Sequence, residues 1–175
     1  MRVLFELDKK DYNPNGTCCV RPSVRGIIIK DGLVAMVHSR KYNYYKLPGG
    51  GIEAEEEHPA TLAREVQEEV GLVVVPASIR EYGMVHRVQK GRIEDMFIQD
   101  NYYYFCDVEP EVQSQHLDEY EDEEQFELEY VTPEQAITTN RTANHGSKAG
   151  HSVFEGMIER ESRVLEMLVE ENAFC

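Results

Sequence analysis

Glu65, Glu68 and Glu69 stand at i, i+3 and i+4, so on a helix their carboxylates share one face. Three such groups within about 6 Å repel one another. At an effective dielectric of about 20, each like-charged pair costs on the order of 3 kcal/mol before screening. A divalent hard cation held by oxygen ligands offsets that cost directly; a solvated acidic face is the alternative the helix alone leaves open. The flanks favour the cation. Gly49-Gly50-Gly51 comes just before the segment, and such a backbone approaches a phosphate or a metal closely because no Cβ intervenes. Glu56 and Arg64 are placed to pair across the segment, and Arg64 among three acids lowers their repulsion and orients them. Metal ions on such a face neutralise phosphate oxygens and acidify a bound water, and a free carboxylate takes the proton.

These residues need a helix and a loop to hold them. The pattern predicts a helix from about Pro59 to Val70, with Pro at its start and Gly71 at its end. Leu62, Val66 and Val70 repeat every four residues beside the acids and would fasten the helix to a sheet. Strands are expected over residues 2–7, over Val24–Ile29 and Leu33–His38 joined by a hairpin at Lys30-Asp31-Gly32, and over Leu72–Val75, Ile79–Gln89 and Phe97–Val108. The acidic tract Asp118–Glu129 holds eight carboxylates in twelve residues and ends in a strand-like alternation. Thr132-Pro133-Glu134-Gln135 and Ser152-Val153-Phe154-Glu155 read as capping boxes opening two further helices. Glu161 falls in the apolar stripe of the last helix, where local solvent access is the ordinary expectation. Strands and helices interleave, which gives an α/β (α+β) class with helices covering a mixed sheet. The 175 residues fit one domain, 1–175, with a core of about 18–172.

Gly50, five residues, Glu56, seven residues, then Arg64-Glu65-Val66-Gln67-Glu68-Glu69-Val70-Gly71-Leu72: this resembles the Nudix box, GX5EX7REUXEEXGU, at every fixed position. The resemblance implies an α/β/α sandwich with a mixed β-sheet and hydrolysis of a nucleoside diphosphate linked to another moiety X. It implies that Glu65, Glu68 and Glu69 bind Mg²⁺ or Mn²⁺, that the Gly49 carbonyl often joins them, and that Glu56 and Arg64 brace the loop and helix. A further acid from outside the box often completes such a site; Glu124 is the choice here, with Glu123 and Glu127 close behind. The general base varies in the family, and Glu68, Glu69 or the outside acid could serve. Many members carry Gly where this chain has Glu55.

Substrate contacts are expected from two basic-aromatic stretches. The first contains Arg40, Tyr42 and Tyr45, able to stack a base and meet a phosphate. The second, Asn140–His151, contains Arg141 and Lys148 in a lid-like loop. Neither the proline nor the tyrosine that marks some family subgroups after the box is present; His86-Arg87-Val88-Gln89 stands there instead. With 18 Lys+Arg against 33 Asp+Glu, a net charge of −15 opposes binding to nucleic acid polymers. No apolar run approaches a membrane span, and no export signal is read, so a cytoplasmic location is expected. Cys18, Cys19, Cys106 and Cys175 lack metal-site spacing and read as reduced thiols. The expected partner is a soluble nucleotide diphosphate derivative, and the reading leaves room for a homodimer. Two rivals share the fold: a non-catalytic nucleotide sensor, and a diphosphate isomerase that would need a cysteine and a glutamate facing the pocket.

Overall fold

In the computed structural model, which describes residues 1–174, the run from Ser23 to Lys30 serves two sheets. Strand β3 (Ser23–Ile27) lies parallel to β9 (Met96–Phe105), with Ser23 opposite Asn101 and Ile27 opposite Phe105. Beyond Ile28 the chain turns, and β4 (Ile29–Lys30) pairs antiparallel with β5 (Leu33–Ser39). The expected hairpin therefore joins β5 only to the tail of the preceding run. Its turn residues Asp31 and Gly32 have φ of 52° and 77°, as the tight hairpin turn requires.

The first sheet runs β1 (Val3–Asp8), β8 (Arg80–Gln89), β9 and β2 (Cys18–Val20), with β3 also beside β9. Only its β8–β9 pair is antiparallel, so the sheet is mixed. The second sheet sets β5 between β11 (Phe126–Val131) on one side and β4 and β6 (Tyr44–Lys46) on the other. Strands β7 (Leu72–Val74) and β10 (Val108–Val112) form a separate antiparallel pair.

Helix α1 (His58–Val70) covers one side. Its Leu62, Val66 and Val70 are buried against Val24, Ala35, Val37 and Leu72. On the other side, α3 (Pro133–Thr142) and α4 (Ser152–Glu170) supply Ala136, Val164, Leu165 and Leu168 to a second core with Ile27, Val34, Met36 and Val85. The outcome is the expected α/β/α arrangement of a mixed sheet between helices. Among the described residues no helix is long and apolar enough to cross a membrane.

Three local expectations change. The acidic tract contains a short helix, α2 (Glu119–Glu123). Ser152 is the first residue of α4 rather than its cap; His151 holds the cap position, and the Ser152 hydroxyl donates to Asp11. Glu161 is fully buried, not solvated. Its Oε1 accepts from Arg160 Nη2 at 2.5 Å, and its Oε2 accepts from the Leu47 amide at 2.8 Å. Burying this charge is tolerable because both oxygens are hydrogen-bonded and a cation adjoins. Cys18 is exposed, Cys19 half-buried and Cys106 buried, all as free thiols; Cys175 lies outside the described residues.

Candidate active site

Arg64 organises the acidic face of α1. Its Nε and Nη2 each donate at 2.9 Å to the two oxygens of Glu56, a bidentate fork. Its Nη1 reaches Glu65 Oε1 at 2.8 Å and Glu68 Oε2 at 3.0 Å. One guanidinium thus ties the loop before the helix to two acids on it. The hydrogen bonds from Arg64 hold the Glu56 carboxyl down at about 2, and the same contacts raise the Arg64 pKa. Burial pushes the Glu65 carboxyl up, with Arg64 opposing.

The glycine loop meets this face closely. Gly49 has φ of 136°, and a Cβ there would run into the Val24 carbonyl; a Cβ on Gly50 would overlap the Glu65 carboxylate. Gly49 must be glycine on both counts, whereas a side chain at Gly50 would displace the Glu65 carboxylate. Glu69 is buried behind the others. It accepts from the Gly49 amide at 2.8 Å and forms a buried ion pair with Lys46. The Gly49 carbonyl accepts from Arg25 Nη1.

A pocket of about 350 Å³ opens in front, lined by Arg64, Glu65 and Glu68 and, from across the cleft, Asp118 and Glu121. Glu121 is buried; its Oε2 accepts from the Asp118 amide at 2.9 Å and its Oε1 from the Tyr120 hydroxyl at 2.9 Å. Burial and the nearby Glu69 raise its pKa.

The family model of the NUDIX domain matches residues 20–150. The chain belongs to that family. Solved structures agree on the fold. The solution structure of the E. coli ORF135 protein is 19% identical over 84% of this chain and 91% of that one, with a TM-score of 0.53. A NUDIX hydrolase from Nitrosomonas europaea is 16% identical over 71% and 82%, TM-score 0.54, and a UDP-X diphosphatase 16% identical over 89% and 64%, TM-score 0.53. Among curated proteins, no sequence matches. As a Nudix domain the chain is an enzyme of the pyrophosphohydrolase type, and such domains generally use divalent metal ions.

The donors in this Nudix domain suit a hard cation. Glu65, Glu68, Asp118 and Glu121 are all oxygen donors facing one pocket. Two of them, Glu65 and Glu121, have their ionised forms disfavoured by burial, a cost that a neighbouring cation offsets. Glu124 lies elsewhere. Its Oε2 accepts from the Tyr44 hydroxyl at 2.7 Å and its Oε1 meets Lys148 Nζ at 2.5 Å, in an adjoining cavity of about 380 Å³. Asp118 and Glu121, neither singled out in the sequence, are the acids of the tract that line the pocket with Glu65 and Glu68; their signal was the Asp118-to-Glu121 capping spacing within the acidic run.

The basic-aromatic residues separate by strand parity. On β6, Tyr44 and Lys46 face the adjoining cavity. Tyr45 between them points the other way, stacked on His38 with ring centroids 4.4 Å apart and its hydroxyl donating to Glu129 at 2.7 Å. Arg40 pairs with Glu127 at 3.1 Å on the exposed side. Tyr42 lies under the ammonium groups of Lys41 and Lys148, each 5.3 Å from its ring centre. Arg141, on α3, pairs with Glu166 of α4 at 2.7 Å, while Lys148 lines the cavity.

The expected lid is anchored. Asn140 holds both backbone groups of Tyr45, donating to its carbonyl at 2.9 Å and accepting from its amide at 2.7 Å. The His145 ring nitrogens lie 2.9 and 3.0 Å from the carbonyls of Tyr42 and Asn140. Glu55 has φ of 67°, which supplies a physical reason for the glycine common at that position in the family. Among the cysteines, Cys19 and a glutamate, Glu94, line the cavity, whereas burial pushes the Cys106 thiol up to about 12.

Proposed function

We propose that this Nudix domain hydrolyses the phosphoanhydride of a nucleoside diphosphate linked to another moiety, with Mg²⁺ or Mn²⁺ held by Glu65 and Glu68 together with Glu121. The observation that carries the reading is the Arg64 fork. It fixes Glu56, Glu65 and Glu68 in one constellation facing acids from the opposite side of the cleft. A divalent cation bound there supplies charge neutralisation on the phosphate oxygens and acidifies a bound water.

The chain's own residues do the rest. Arg64 holds two carboxylates at one pocket, where repulsion would otherwise spread them. Glu69 already has a buried cation, Lys46, on one oxygen and the Gly49 amide on the other, so its role is to fix the glycine loop against α1. Glu68 is half-exposed and has one oxygen on Arg64; the other is the oxygen that takes the proton of the attacking water. Gly50 and Gly51 bring backbone to the pocket rim without a side chain, leaving room for a diphosphate. Lys148 and Tyr44 in the adjoining cavity are substrate contacts in this reading, with Arg40, Tyr45 and Arg141 assigned to the packing of the opposite side. The substrate is a soluble nucleotide derivative.

The test is a panel of nucleoside diphosphate derivatives with Mg²⁺ or Mn²⁺, read as orthophosphate after phosphatase or pyrophosphatase treatment. Turnover that depends on divalent cation and falls at least about 10²-fold in Glu68→Gln is expected. Cation-independent release, or full activity in the variant, would refute the assignment.

A further inference from the structure

The layer between the first sheet and α4 changes character along its length. At one end Val85, Tyr103, Leu165 and Leu168 are fully buried. Two residues further along each strand, the same inward positions carry Arg87 on β8 and Asn101 on β9, with Gln99 two residues beyond it, and α4 presents Arg160. Arg87 and Gln99 are direct partners across the β8–β9 ladder. The Gln99 Oε1 accepts from Arg87 Nη2 at 2.7 Å and also from Arg160 Nη1 at 3.1 Å, so two guanidinium groups converge on one neutral oxygen. Arg25 of β3 joins them at the same cavity.

Arginines at inward sheet positions are costly unless paired. Arg160 has Glu161. Arg25 and Arg87 have no carboxylate within 4.0 Å among the described residues. They are 8% and 3% exposed, and the Nε of each is buried with no hydrogen-bond partner. Burial, then the nearby Arg160 and Arg25, depress the Arg87 pKa. The cavity is lined by seven of the chain's 18 Lys and Arg residues; Lys46, Lys148 and Arg160 are paired with Glu69, Glu124 and Glu161, which leaves Arg21, Arg25, Arg87 and Arg92 with no carboxylate within 4.0 Å among the described residues. In a protein of charge −15 those arginines gather unpaired positive charge in one place.

This cavity touches the acidic pocket through Arg21, which lines both. At its far end Arg92 and Lys148 connect it to a further hollow of about 730 Å³. A nucleobase would satisfy the aromatic lining but not the two unpaired guanidinium groups. A phosphate monoester presents several acceptor oxygens and close to two negative charges, which matches convergent arginine forks.

We propose that the Arg25–Arg87–Arg160 cavity binds a phosphate monoester that the substrate carries in addition to the diphosphate being cleaved. This deepens the hydrolase reading and rests on it. The preferred substrate is then a phosphorylated nucleoside diphosphate derivative, its diphosphate at Glu65 and Glu68 and its extra phosphate among the three arginines.

Two measurements test this. In the first, inorganic orthophosphate is titrated into the EDTA-treated full chain at constant ionic strength, followed by backbone amide NMR. Saturable shifts centred on Arg87, Phe97 and Gln99 are expected, with affinity at least tenfold weaker in Arg87→Gln and several-fold weaker in Arg92→Ala. Arg92 is exposed, so that variant keeps the test valid if the buried substitution fails to fold. Glu68→Gln should bind orthophosphate as wild type does. In the second, kcat/KM is compared within two pairs: NADP⁺ against NAD⁺, with the phosphate on the nucleoside, and ADP-ribose 1″-phosphate against ADP-ribose, with the phosphate on the other moiety. The phosphorylated member of one pair should exceed its counterpart at least tenfold, and Arg87→Gln should collapse that ratio. No saturable orthophosphate binding, or no preference within either pair, overturns the proposal. If unphosphorylated diphosphates still turn over, the hydrolase reading survives that failure; if orthophosphate binds but no diphosphate is cleaved, the hydrolase reading is the one that fails.

Discussion

Replacing Arg64 by lysine keeps the charge and removes the fork. Four hydrogen bonds from Arg64 reach three carboxylates, and a lysine ammonium cannot span the Glu56 oxygens while also meeting Glu65 and Glu68. The Glu56 carboxyl is displaced from 4.5 to about 2, chiefly by hydrogen bonding to Arg64, which sets a ceiling of roughly 3 kcal/mol on the stabilisation that displacement can represent. The side chains are 30% and 19% exposed, and screening reduces the figure to about 1–2 kcal/mol. For a domain of this size that is a fall in Tm of roughly 3–6 °C at pH 7. The sign with pH follows from the depressed carboxyl. The contribution is complete above pH 4.5 and disappears as the pH drops through the folded value near 2. Urea denaturation of wild type and Arg64→Lys, in EDTA, at pH 7, 4 and 2.5, should therefore show a gap that narrows as the medium becomes acidic. Equal midpoints at pH 7, or a gap that does not change with pH, would refute the claim that the fork stabilises the loop and helix through Glu56.

Four further outcomes are expected. Glu68→Gln should lower kcat by about 10² or more while leaving the metal-free melting temperature nearly unchanged, because its side chain is part-exposed and keeps its shape. Mg²⁺ or Mn²⁺ at a hundredfold excess over Kd should stabilise the chain by about 2.7 kcal/mol; calorimetry against matched NaCl should show that gain shrinking in Glu65→Gln, and an equal response to NaCl would exclude the site. Glu161→Ala should cost about 3–5 kcal/mol in chemical denaturation, since it strands the buried Arg160 and the Leu47 amide. Glu55→Gly should raise stability by up to about 1 kcal/mol, readable as a higher urea midpoint, because an exposed left-handed position then holds the residue that adopts it freely.

The legible parts of the sequence were local ones. Pro59 and Gly71 punctuate α1 and the Leu62-Val66-Val70 period fixes its buried side, so Glu65 and Glu68 had to share the open face, while the burial of Glu69 against Lys46 was not visible. Tyr44 and Tyr45 could not be told apart, because the face each takes depends on the register of a three-residue strand against β5. Glu161 was visible as an acid in an apolar stripe, but one of its partners, the Leu47 amide, lies 114 residues away. Arg87 occupies the inward phase of β8 after Val85, yet a charged residue at such a phase usually argues for the opposite face, and only the arrival of Gln99 and Arg160 gives it a setting. Glu121 was hidden by abundance: of eight carboxylates in the tract, four fall on the five-residue helix α2 and differ only in which way it turns them.

Strand β6 and the glycine loop after it are held from the far end of the chain, Tyr45 by Asn140 and Leu47 by Glu161. This orders events on the ribosome. At about 5–20 residues per second, the 114 residues between Leu47 and Glu161 take roughly 6–23 s to synthesise. During that interval the chain already holds α1 and the loop's near contacts, from Glu69 and Arg25 to Gly49, while the contacts from Asn140 and Glu161 are still to come. A nascent chain therefore carries the whole box before it has the two distal contacts that hold β6 and Leu47, and the arrival of α4 supplies the last of them. Premature termination between Leu72 and Glu161 should leave a product that retains every residue of the box, lacks the Glu161 contact to the Leu47 amide and has lost hydrolytic activity.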